Sequence, residues 1–525
     1  MKRDHLVNQL VGYKQSWDVV VIGGGASGLG TALEAATRGY RTALFEMADF
    51  SKGTSSRSTK LVHGGVRYLA QGDVRLVMEA LRERGLLRKN APHLVKNQSF
   101  VIPNYEWWGG PFYTIGLKVY DMMAGRLSLG SSVHIPRKKA LQFLPNIRND
   151  GLHGGVVYHD GQFDDSRLAV NMAQTIVDYE GVVLNYFKVT DLLKDGQGKV
   201  SGVTATDVES GEEYTIHSKA VVNATGVFAD DILKMDEPEA RRRIMPSQGI
   251  HIVLDKEFLQ SDYAIMIPKT NDGRVLFAVP WRGKVVVGTT DTKVEHPSLE
   301  PRALEEEIEF VLNTAGEYLE KAPKRSDVKS VFAGLRPLAA PRGAGKSTKE
   351  ISRGHKVMVS HSGLITLTGG KWTTYRKMGE DTINKVIKVN GMERKPSKTK
   401  NLPIHGYLEE VDRNNHLYVY GSDQEAIEKL MEEEPELAER LDRRLDFTKA
   451  EVVWAARNEM ARTVDDVLAR RVRALPLDAR AAVDMAPEVA RILAEELGKD
   501  EQWQKEEVER FTCLANGYFL EDENK

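Results

Sequence analysis

The sequence predicts an α/β protein in which a parallel sheet is combined with an antiparallel sheet and followed by an all-helical C-terminal domain. Three observations predict this architecture. Residues 17–46 read as strand, glycine turn, helix and strand, residues 248–291 alternate short strands with tight turns, and residues beyond 401 follow a helical spacing. At about 150 residues per domain, the 525 residues have room for more than one hydrophobic core.

The composition is that of an ordinary globular protein. With 41% hydrophobic and 28% charged residues, it excludes a disordered, collagen-like or coiled-coil chain. The single cysteine, Cys513, excludes an internal disulfide and a cysteine-based zinc site. The N-terminus lacks the apolar stretch of a signal peptide, and no uncharged apolar run approaches the ~18 residues of a membrane span. We therefore expect a cytoplasmic protein whose membrane contact, if any, is peripheral.

Charge is distributed unevenly along the chain. Residues 401–525 carry a net charge of −13, and residues 1–400 carry +11. The cationic part suits an anionic small substrate, an anionic membrane surface, or attraction to the acidic tail. No dense basic tract occurs, so nucleic acid is not expected as a partner.

The first unit predicts a dinucleotide site. Asp18–Ile22 is an apolar strand that runs into Gly23-x-Gly25-x-x-Gly28. In such a turn the glycines permit the bend, the close approach of a pyrophosphate and tight helix packing, and the following helix offers its N-terminus to phosphate. Glu46 ends the second strand, where an acid accepts hydrogen bonds from ribose hydroxyls and disfavours a 2′-phosphate. We expect the second strand to pair parallel with the first.

The continuation of the chain favours FAD over NAD. A nicotinamide enzyme would add further βαβ units, but the parallel pattern stops after Glu46 in a Ser/Thr/Gly-rich stretch. Ala224 to Gly226 and Gly369-Gly370 each follow a strand, and both are places where backbone can approach a cofactor. A helix from about Thr373 aims its N-terminus at negative charge.

Candidate chemical groups are cations beside glycines and two histidines. Taken alone, each cation is better explained as a solvated surface charge, but three from distant parts of the chain would clamp a phosphate or carboxylate. The cations are Lys60, Arg67, Arg336, Lys371 and Arg376, and the histidines are His63 and His251. His251 could accept a proton from an alcohol or could only satisfy local hydrogen bonds, and both interpretations stay open. No histidine pair has metal-ligand spacing, and no Gly-x-Ser-x-Gly motif indicates a hydrolase.

Two further segments have no catalytic pattern. Residues 107–120 form the densest aromatic cluster, with Trp107 and Trp108, and predict either a lid, which we favour slightly, or a patch that dips into a bilayer. The basic stretch 390–403 is predicted to be a linker. Beyond it, apolar residues at spacings of three and four predict helix, as in Val453, Ala456, Met460, Val464 and Val467.

Taken together, these motifs resemble the FAD-dependent glycerol-3-phosphate dehydrogenases of the D-amino-acid-oxidase-like flavoprotein superfamily. The resemblance extends from about Trp17 to the end of the chain. Its distinctive pieces are Gly23 to Gly30, Thr54 to Lys60, His63 to Leu69, Asn223 to Gly226, Pro280-Trp281, Gly288 to Asp291, Gly334 to Leu338, Gly369 to Lys377 and Arg457 to Leu468. It implies an FAD-binding Rossmann-like domain of the glutathione-reductase type, an antiparallel β substrate domain and a C-terminal helical cap.

The resemblance also implies a division of the chain and roles for its residues. The FAD-binding parts would be about 17–90, 150–245 and 325–395, the substrate-binding parts about 91–149 and 246–324, and the helical domain 401–525. Together with the glycine motif, it assigns non-covalent FAD binding to Gly23, Gly25, Gly28, Glu46, Ser58, Thr59, Lys60, Gly65, Ala224, Gly226, Gly370, Lys371 and Thr373. The substrate would contact Arg67, Tyr68, His251, Arg336 and Lys371, with His251, Arg336 and Lys371 as catalytic residues. Three positions depart from the expected pattern, namely Gln248, Ile250 and the bulky Trp372.

The implied reaction is the oxidation of sn-glycerol 3-phosphate to dihydroxyacetone phosphate, with electrons passed to a membrane quinone at the inner face of the cell membrane. Alternatives are a glycerol-3-phosphate oxidase that uses oxygen and a non-redox FAD-binding regulator. An amino-acid or 2-hydroxy-acid oxidase would leave the second arginine and Lys371 without a dianion to bind. The sequence leaves the choice between a monomer and a homodimer open.

Overall fold

The computed structural model describes residues 1–66, 69, 72–106, 109–268, 270, 274–340 and 354–520. Its strands are β1 Val19–Ile22, β2 Thr42–Phe45, β3 Leu61–Val62, β4 Lys96–Asn104, β5 Val133–Pro136, β6 Gly154–Gln162, β7 Val182–Leu184, β8 Phe187–Lys194, β9 Val200–Asp207, β10 Glu213–His217, β11 Val221–Asn223, β12 Ile244–Asp255, β13 Ala264–Ile267, β14 Leu276–Trp281, β15 Lys284–Gly288, β16 Thr292–Lys293, β17 Ser330–Ala339, β18 Lys356–Val359 and β19 Ile365–Thr368. Its α-helices are Arg3–Gly12, Ala26–Thr37, Val74–Asn90, Gly109–Ala124, Arg137–Phe143, Asp165–Asp178, Ala229–Asp236, Glu305–Tyr318, Tyr375–Asn390, Gln424–Glu433, Lys449–Glu459, Ala474–Leu477, Ala479–Leu497 and Glu501–Ala515.

A six-stranded sheet forms the nucleotide-binding part, with the strand order β18-β19-β11-β1-β2-β7. β1 pairs parallel with β2 and with β11, which confirms the predicted βαβ unit. The strands β1, β2, β7 and β11 are buried on both faces, as their continuous apolar sequences require. Ligands of such sheets bind beyond the carboxyl ends of the strands. The Gly23 turn lies at that end of β1.

A second, larger sheet has the order β16-β12-β15-β14-β13-β4-β6-β3, and β17 pairs with β12. The predicted meander is present in β13, β14 and β15, which pair antiparallel in turn. The antiparallel sheet also includes one parallel pair, between β13 and β4. β4 comes from residues 96–104, far from the meander in sequence, so no local pattern indicated this partner. A separate three-stranded sheet is formed by β8, β9 and β10.

The C-terminal region is helical, as predicted, but its helices break where the apolar spacing continues. The helix Lys449–Glu459 ends at Met460, which has a φ of 54°. Side chains from elsewhere bind the freed backbone, because Asn185 donates to the Met460 carbonyl at 2.9 Å and Arg471 to the Glu459 carbonyl at 2.9 Å. A π-helix then spans Asp466–Arg471. The residues whose spacing predicts helix, from Val453 to Val467, are therefore divided between two helices.

Two hydrophobic cores cross the predicted boundary at residue 400. The core of the six-stranded sheet includes Leu402, Ile404 and Tyr420, and the core of the helical domain includes Trp281 and Phe332. The predicted linker is also packed, since Asn90 donates to the Thr399 carbonyl at 3.0 Å. A division of the chain at residue 400 stays a prediction. Within the described ranges, no helix is long and apolar enough to cross a bilayer.

Candidate active site

A cavity of about 530 Å³ lies at the carboxyl ends of the parallel strands and extends against the larger sheet. It brings together most of the predicted residues, namely Gly23, Gly25, Glu46, Ser58, Thr59, His63, Gly65, Ala224, Gly226, His251, Arg336, Gly370, Lys371 and Thr373. Arg67 and Tyr68 lie outside the described residues. Gly28 and Lys60 do not line the cavity, for separate reasons given below.

The nucleotide end of the cavity is built from backbone donors and one carboxylate. Helix Ala26–Thr37 begins beside the Gly23 turn, and the Ala26 N–H donates to the Ser55 hydroxyl at 2.9 Å. Glu46 accepts from the Gly24 N–H at 2.6 Å and from the Ala48 N–H at 2.9 Å, which orients its carboxylate at the cavity wall. A helix N-terminus for phosphate and an acid for ribose fit the adenosine diphosphate half of FAD.

Gly28 allows close packing of the helix against the Gly23 turn. A β-carbon there would lie 1.8 Å from the Gly23 carbonyl oxygen, so the helix could not approach the turn. This is the role that the third glycine of the motif has in the prediction.

We expect Glu46→Ala to weaken FAD binding while leaving hydride transfer in the loaded enzyme nearly unchanged. A charge-assisted hydrogen bond contributes about 1.5–3 kcal/mol, so the dissociation constant of FAD should rise about 10- to 100-fold. Reconstitution of apoenzyme followed by flavin fluorescence measures this constant. Glu46→Gln keeps an acceptor for one of the two N–H groups, which bind separate carboxylate oxygens, and is the control, with a smaller expected effect. A hundredfold slower flavin reduction in loaded Glu46→Ala would contradict this placement.

Two neighbouring antiparallel strands carry the reacting side of the cavity. β12 and β17 pair over ten positions, which place Ser247 opposite Arg336 and His251 opposite Phe332. The Arg336 guanidinium donates to the Gln248 carbonyl at 3.2 Å and to the Thr289 hydroxyl at 3.0 Å. These contacts orient its planar fork in the cavity.

Gly249 makes room for that guanidinium. A β-carbon at Gly249 would lie 2.3 Å from Nη2 of Arg336, so a larger residue would displace the fork from the cavity. The requirement is steric and concerns the approach of the side chain, since the φ of this glycine is not positive.

His251 is buried and positioned by the segment that follows β2. Its Nε2 lies 2.9 Å from the Thr59 hydroxyl, and its ring stacks on Phe332 with the centroids 5.0 Å apart. Burial, with the positive charges of Lys60 and Arg336, holds the pKa of His251 well below its usual range. Nδ1 has no hydrogen-bond partner among the described residues. The imidazole is therefore neutral at neutral pH and has a nitrogen that can accept a proton.

The two unexpected residues of β12 face away from the cavity. Side chains alternate along a strand, so Gln248 and Ile250 point opposite to His251. Gln248 donates to Glu307 at 2.7 Å, and Ile250 packs in an apolar core. Their departure from the family pattern therefore leaves the cavity wall unchanged.

The segment after β19 supplies the third side of the cavity. Gly369 and Gly370 have φ values of 72° and 85°, which turn the chain into the helix Tyr375–Asn390. Lys371 lines the cavity directly after this turn. The bulky Trp372 donates from its indole nitrogen to the Ser55 carbonyl at 2.8 Å, so it braces the segment that lines the nucleotide end.

Two of the candidate cations are committed to buried ion pairs. Lys60 binds Asp165 at 2.7 Å, and burial lowers its pKa to about 8. Arg376 donates to Glu83 from Nε at 2.7 Å and from Nη2 at 2.6 Å. The structure therefore places Lys60 behind the cavity wall, and it does not bring Arg376 to the clamp.

Three residues with roles at the cavity were not singled out individually from the sequence. Thr289, which holds Arg336, lies within a motif that the resemblance quoted only as a segment. Ser55 binds the start of the first helix, and Asp165 anchors Lys60. Asp164 caps the helix Asp165–Asp178 by accepting from the Arg167 N–H at 3.1 Å. A helix-capping pattern in the sequence therefore indicates that Asp165 begins a helix, but it does not indicate that Asp165 binds Lys60. No group of three metal-ligating side chains is found in the described parts of the chain.

Comparison with known proteins identifies the family of this chain. The family model described as FAD dependent oxidoreductase matches residues 18–376, and the model of the C-terminal domain of alpha-glycerophosphate oxidase matches residues 365–504. The mitochondrial glycerol-3-phosphate dehydrogenase of Bos taurus is 40% identical over 96% of this chain and 74% of its own length, and the human protein is 39% identical over the same shares. The structure of glycerol-3-phosphate dehydrogenase from Bacillus halodurans complexed with FAD superposes with a TM-score of 0.81 at 29% identity, covering 99% of both chains.

The similarity covers both the cavity and the helical domain, so it is not limited to the dinucleotide motif. It confirms the predicted α/β fold class and FAD as the cofactor. The chain belongs to the FAD-dependent oxidoreductase family and, within it, to the glycerol-3-phosphate dehydrogenases.

Proposed function

We propose that this enzyme oxidises sn-glycerol 3-phosphate to dihydroxyacetone phosphate in the cavity between the two sheets. The observation that carries the proposal is the convergence of His251, Arg336 and Lys371 on the cavity that also holds the Gly23 turn and Glu46. FAD, when bound, supplies the hydride acceptor. Relatives at about 40% identity are named for this substrate.

The charges of the cavity suit this substrate. A phosphate dianion is best bound by more than one cation, and Arg336 and Lys371 reach the cavity from β17 and from the segment after β19. Arg336 presents two donors in a fixed plane, and Lys371 adds a compact charge. A further cation from Arg67 would belong to the same clamp.

We propose that His251 is the base that accepts the proton of the substrate hydroxyl. A base must be unprotonated to act, and burial beside Lys60 and Arg336 keeps this imidazole neutral. Thr59 fixes the orientation of the ring through its hydrogen bond at 2.9 Å. Because the ring is buried, water is also kept away from the nitrogen that accepts the proton.

We propose that a membrane quinone, rather than oxygen, accepts the electrons from the reduced flavin, because no long inserted segment typical of the oxidases interrupts the chain. An anaerobic titration tests both steps. Glycerol 3-phosphate should bleach the flavin spectrum, a soluble quinone should restore it within turnover time, and oxygen should restore it slowly. Rapid recovery with oxygen would indicate an oxidase. Absence of bleaching would indicate a non-redox FAD-binding regulator.

Contact with an anionic membrane is proposed for the helix Gly109–Ala124 and its neighbour Val74–Asn90. On the first helix Ile115 and Met122 are 68% and 80% exposed, although Leu117 and Tyr120 on the opposite face are buried. Exposed apolar side chains next to a cationic lobe are typical of an interfacial helix. Tyr120 also donates to Asp160 at 2.8 Å, so the helix covers the interior as well, as the lid interpretation expects. Trp107 and Trp108 lie outside the described residues.

We expect Ile115→Ser with Met122→Ser to release the enzyme from vesicles that contain anionic lipid. The double variant removes apolar burial, and binding of the wild type should weaken with salt because the charge attraction is screened. Cosedimentation measures binding, and activity with a soluble dye should be unchanged. The control is Val11→Ser with Val208→Ser, two exposed residues elsewhere. Equal release by the control pair, or loss of dye activity, would contradict membrane contact through this helix.

A further inference from the structure

The segment of residues 51–60, here called the cofactor loop, connects both ends of the cavity. Eight of its ten residues line the cavity. At one end Ser55 accepts from the Ala26 N–H at the start of the first helix, and at the other Thr59 lies 2.9 Å from Nε2 of His251. A shift of this loop would therefore disturb the nucleotide end and the proposed base together.

The cofactor loop is held from behind by a buried ionic cluster. Asp165 accepts from the Ser58 N–H at 3.1 Å, from the Ser58 hydroxyl at 2.7 Å and from Lys60 at 2.7 Å. Lys60 also donates to the Ser56 carbonyl at 2.6 Å. Lys60 and Asp165 have no solvent exposure, so water cannot replace either partner.

A further member of this cluster, Arg473, comes from the C-terminal helical domain, and its Nε lies 3.6 Å from Asp164, which also pairs with Arg282. Arg473 donates to Asp165 at 2.8 Å and to the Ser56 carbonyl at 3.1 Å, and its side chain is fully buried. Its other terminal nitrogen donates to the Ala469 carbonyl at 2.8 Å. The guanidinium thus joins the helical domain to the backbone of the cofactor loop and to the loop's carboxylate anchor.

The backbone of Arg473 has an uncommon conformation at the point where its side chain contacts the cofactor loop. Its φ is 74°, a left-handed conformation that is uncommon for a residue with a side chain and persists where surrounding contacts hold it. The residue lies just after the π-helix Asp466–Arg471 and directly before the helix Ala474–Leu477. Local irregularity of this kind is frequent at functional positions.

We propose that Arg473 is a positioning residue through which the C-terminal helical domain fixes the cofactor loop, so that FAD retention and the setting of His251 depend on that domain. The inference rests on the proposed placement of FAD in the cavity. A second interpretation is that Arg473 only docks the two parts of the chain. The same interface offers a control for docking, because Arg167 and Glu459 form a fully buried pair at 2.7 Å through hydrogen bonds to each other, and neither side chain hydrogen-bonds to a residue of the cofactor loop.

The experiment compares Arg473→Gln with Glu459→Gln in the full-length holoenzyme. Both variants remove one charge from a buried pair across the interface. Arg473→Gln should raise the FAD dissociation constant about 10- to 100-fold, as expected for loss of a charge-assisted hydrogen bond, and should expose Lys52, Arg57 and Lys60 to trypsin. Glu459→Gln should lower the melting temperature but leave FAD affinity, measured well below that temperature, within about twofold of wild type.

Arg473→Lys keeps the measurement possible if Arg473→Gln does not fold. One ammonium keeps the charge and can donate to Asp165 and to the Ser56 carbonyl, which both accept from Nη2 of the arginine, but it loses the contact of Nη1 with the Ala469 carbonyl. FAD affinity should therefore be partly restored. Wild-type FAD affinity in Arg473→Gln, or equal loss of FAD in Glu459→Gln, would overturn the proposal. Bleaching by glycerol 3-phosphate is recorded on the same wild-type preparation. Failure there contradicts the proposed function, whereas normal bleaching with unchanged FAD affinity in the Arg473 variants contradicts only the role of Arg473.

Discussion

Arg336→Lys is expected to lower kcat/KM for glycerol 3-phosphate roughly 10²- to 10³-fold, which corresponds to a loss of about 3–4 kcal/mol of transition-state stabilisation. Arg336 is held by the Gln248 carbonyl and the Thr289 hydroxyl, so its donors have a fixed plane in the cavity. Lysine keeps the charge but cannot present paired donors. The FAD content of the variant should equal that of wild type, as measured from the flavin absorbance.

Glycerol separates the two roles that Arg336 can have. If the arginine binds only the phosphate, the poor rate with glycerol should hardly change in Arg336→Lys, and if it also steadies the developing alkoxide, both substrates should suffer. Arg457→Lys, at an exposed ion pair with Glu496, is the matched control. Unchanged kcat/KM in a flavin-replete Arg336→Lys enzyme would remove this residue from the substrate clamp and leave Lys371 and Arg67.

His251→Gln is expected to lower kcat about 10²- to 10⁴-fold, the usual contribution of a positioned general base. Glutamine is close in size and can still hydrogen-bond to Thr59, so FAD binding should persist. Stopped-flow reduction of the bound flavin measures the affected step directly. Thr59→Val removes the same hydrogen bond but leaves the imidazole, so a much smaller loss is expected from it.

The pH dependence of the wild type gives an independent check on His251. The neutral imidazole is the active form, and its pKa is lowered by burial, Lys60 and Arg336. The rate is therefore lost as the pH falls through a value below about 6.5, the ordinary pKa of histidine. kcat at saturating substrate, which is not affected by protonation of the free phosphate, should stay on its plateau at pH 6.5 and decline only in more acidic buffers. A decline that begins above pH 7, or a wild-type rate in His251→Gln, would assign the proton to another group.

Elements whose sequence pattern is local, within a few consecutive residues, were predictable from the sequence. The strand, glycine turn, helix and strand from Val19 to Phe45 form a unit whose pattern is local, and its parallel pairing is as expected. The placement of His251 and Arg336 at one cavity was also within reach, because both lie in strands beside glycines that leave space for them. Their roles in the reaction stay predictions.

Features that depend on distant partners were not predictable. From the sequence, Lys60 is predicted to contact the cofactor, but in the structure it binds Asp165, which lies 105 residues away in the chain. The apolar spacing continues past Met460, but the helix ends there, and Asn185 and Arg471 bind its last carbonyls. In both cases buried hydrogen-bond or ion-pair partners stabilise the observed arrangement, and spacing contains no information about those partners.

The walls of the cavity are drawn from residues 22 to 378, which has a consequence for how the enzyme is made. Lys371 follows Glu46 by 325 residues. At 5–20 residues per second, the ribosome adds Lys371 roughly 15–65 s after it adds Glu46. The glycine turn and Glu46 therefore leave the ribosome long before the strands that complete their sheet. FAD capture is a late event in the synthesis of this chain, and a nascent chain that stops before β19 has no complete pocket in which to keep the cofactor.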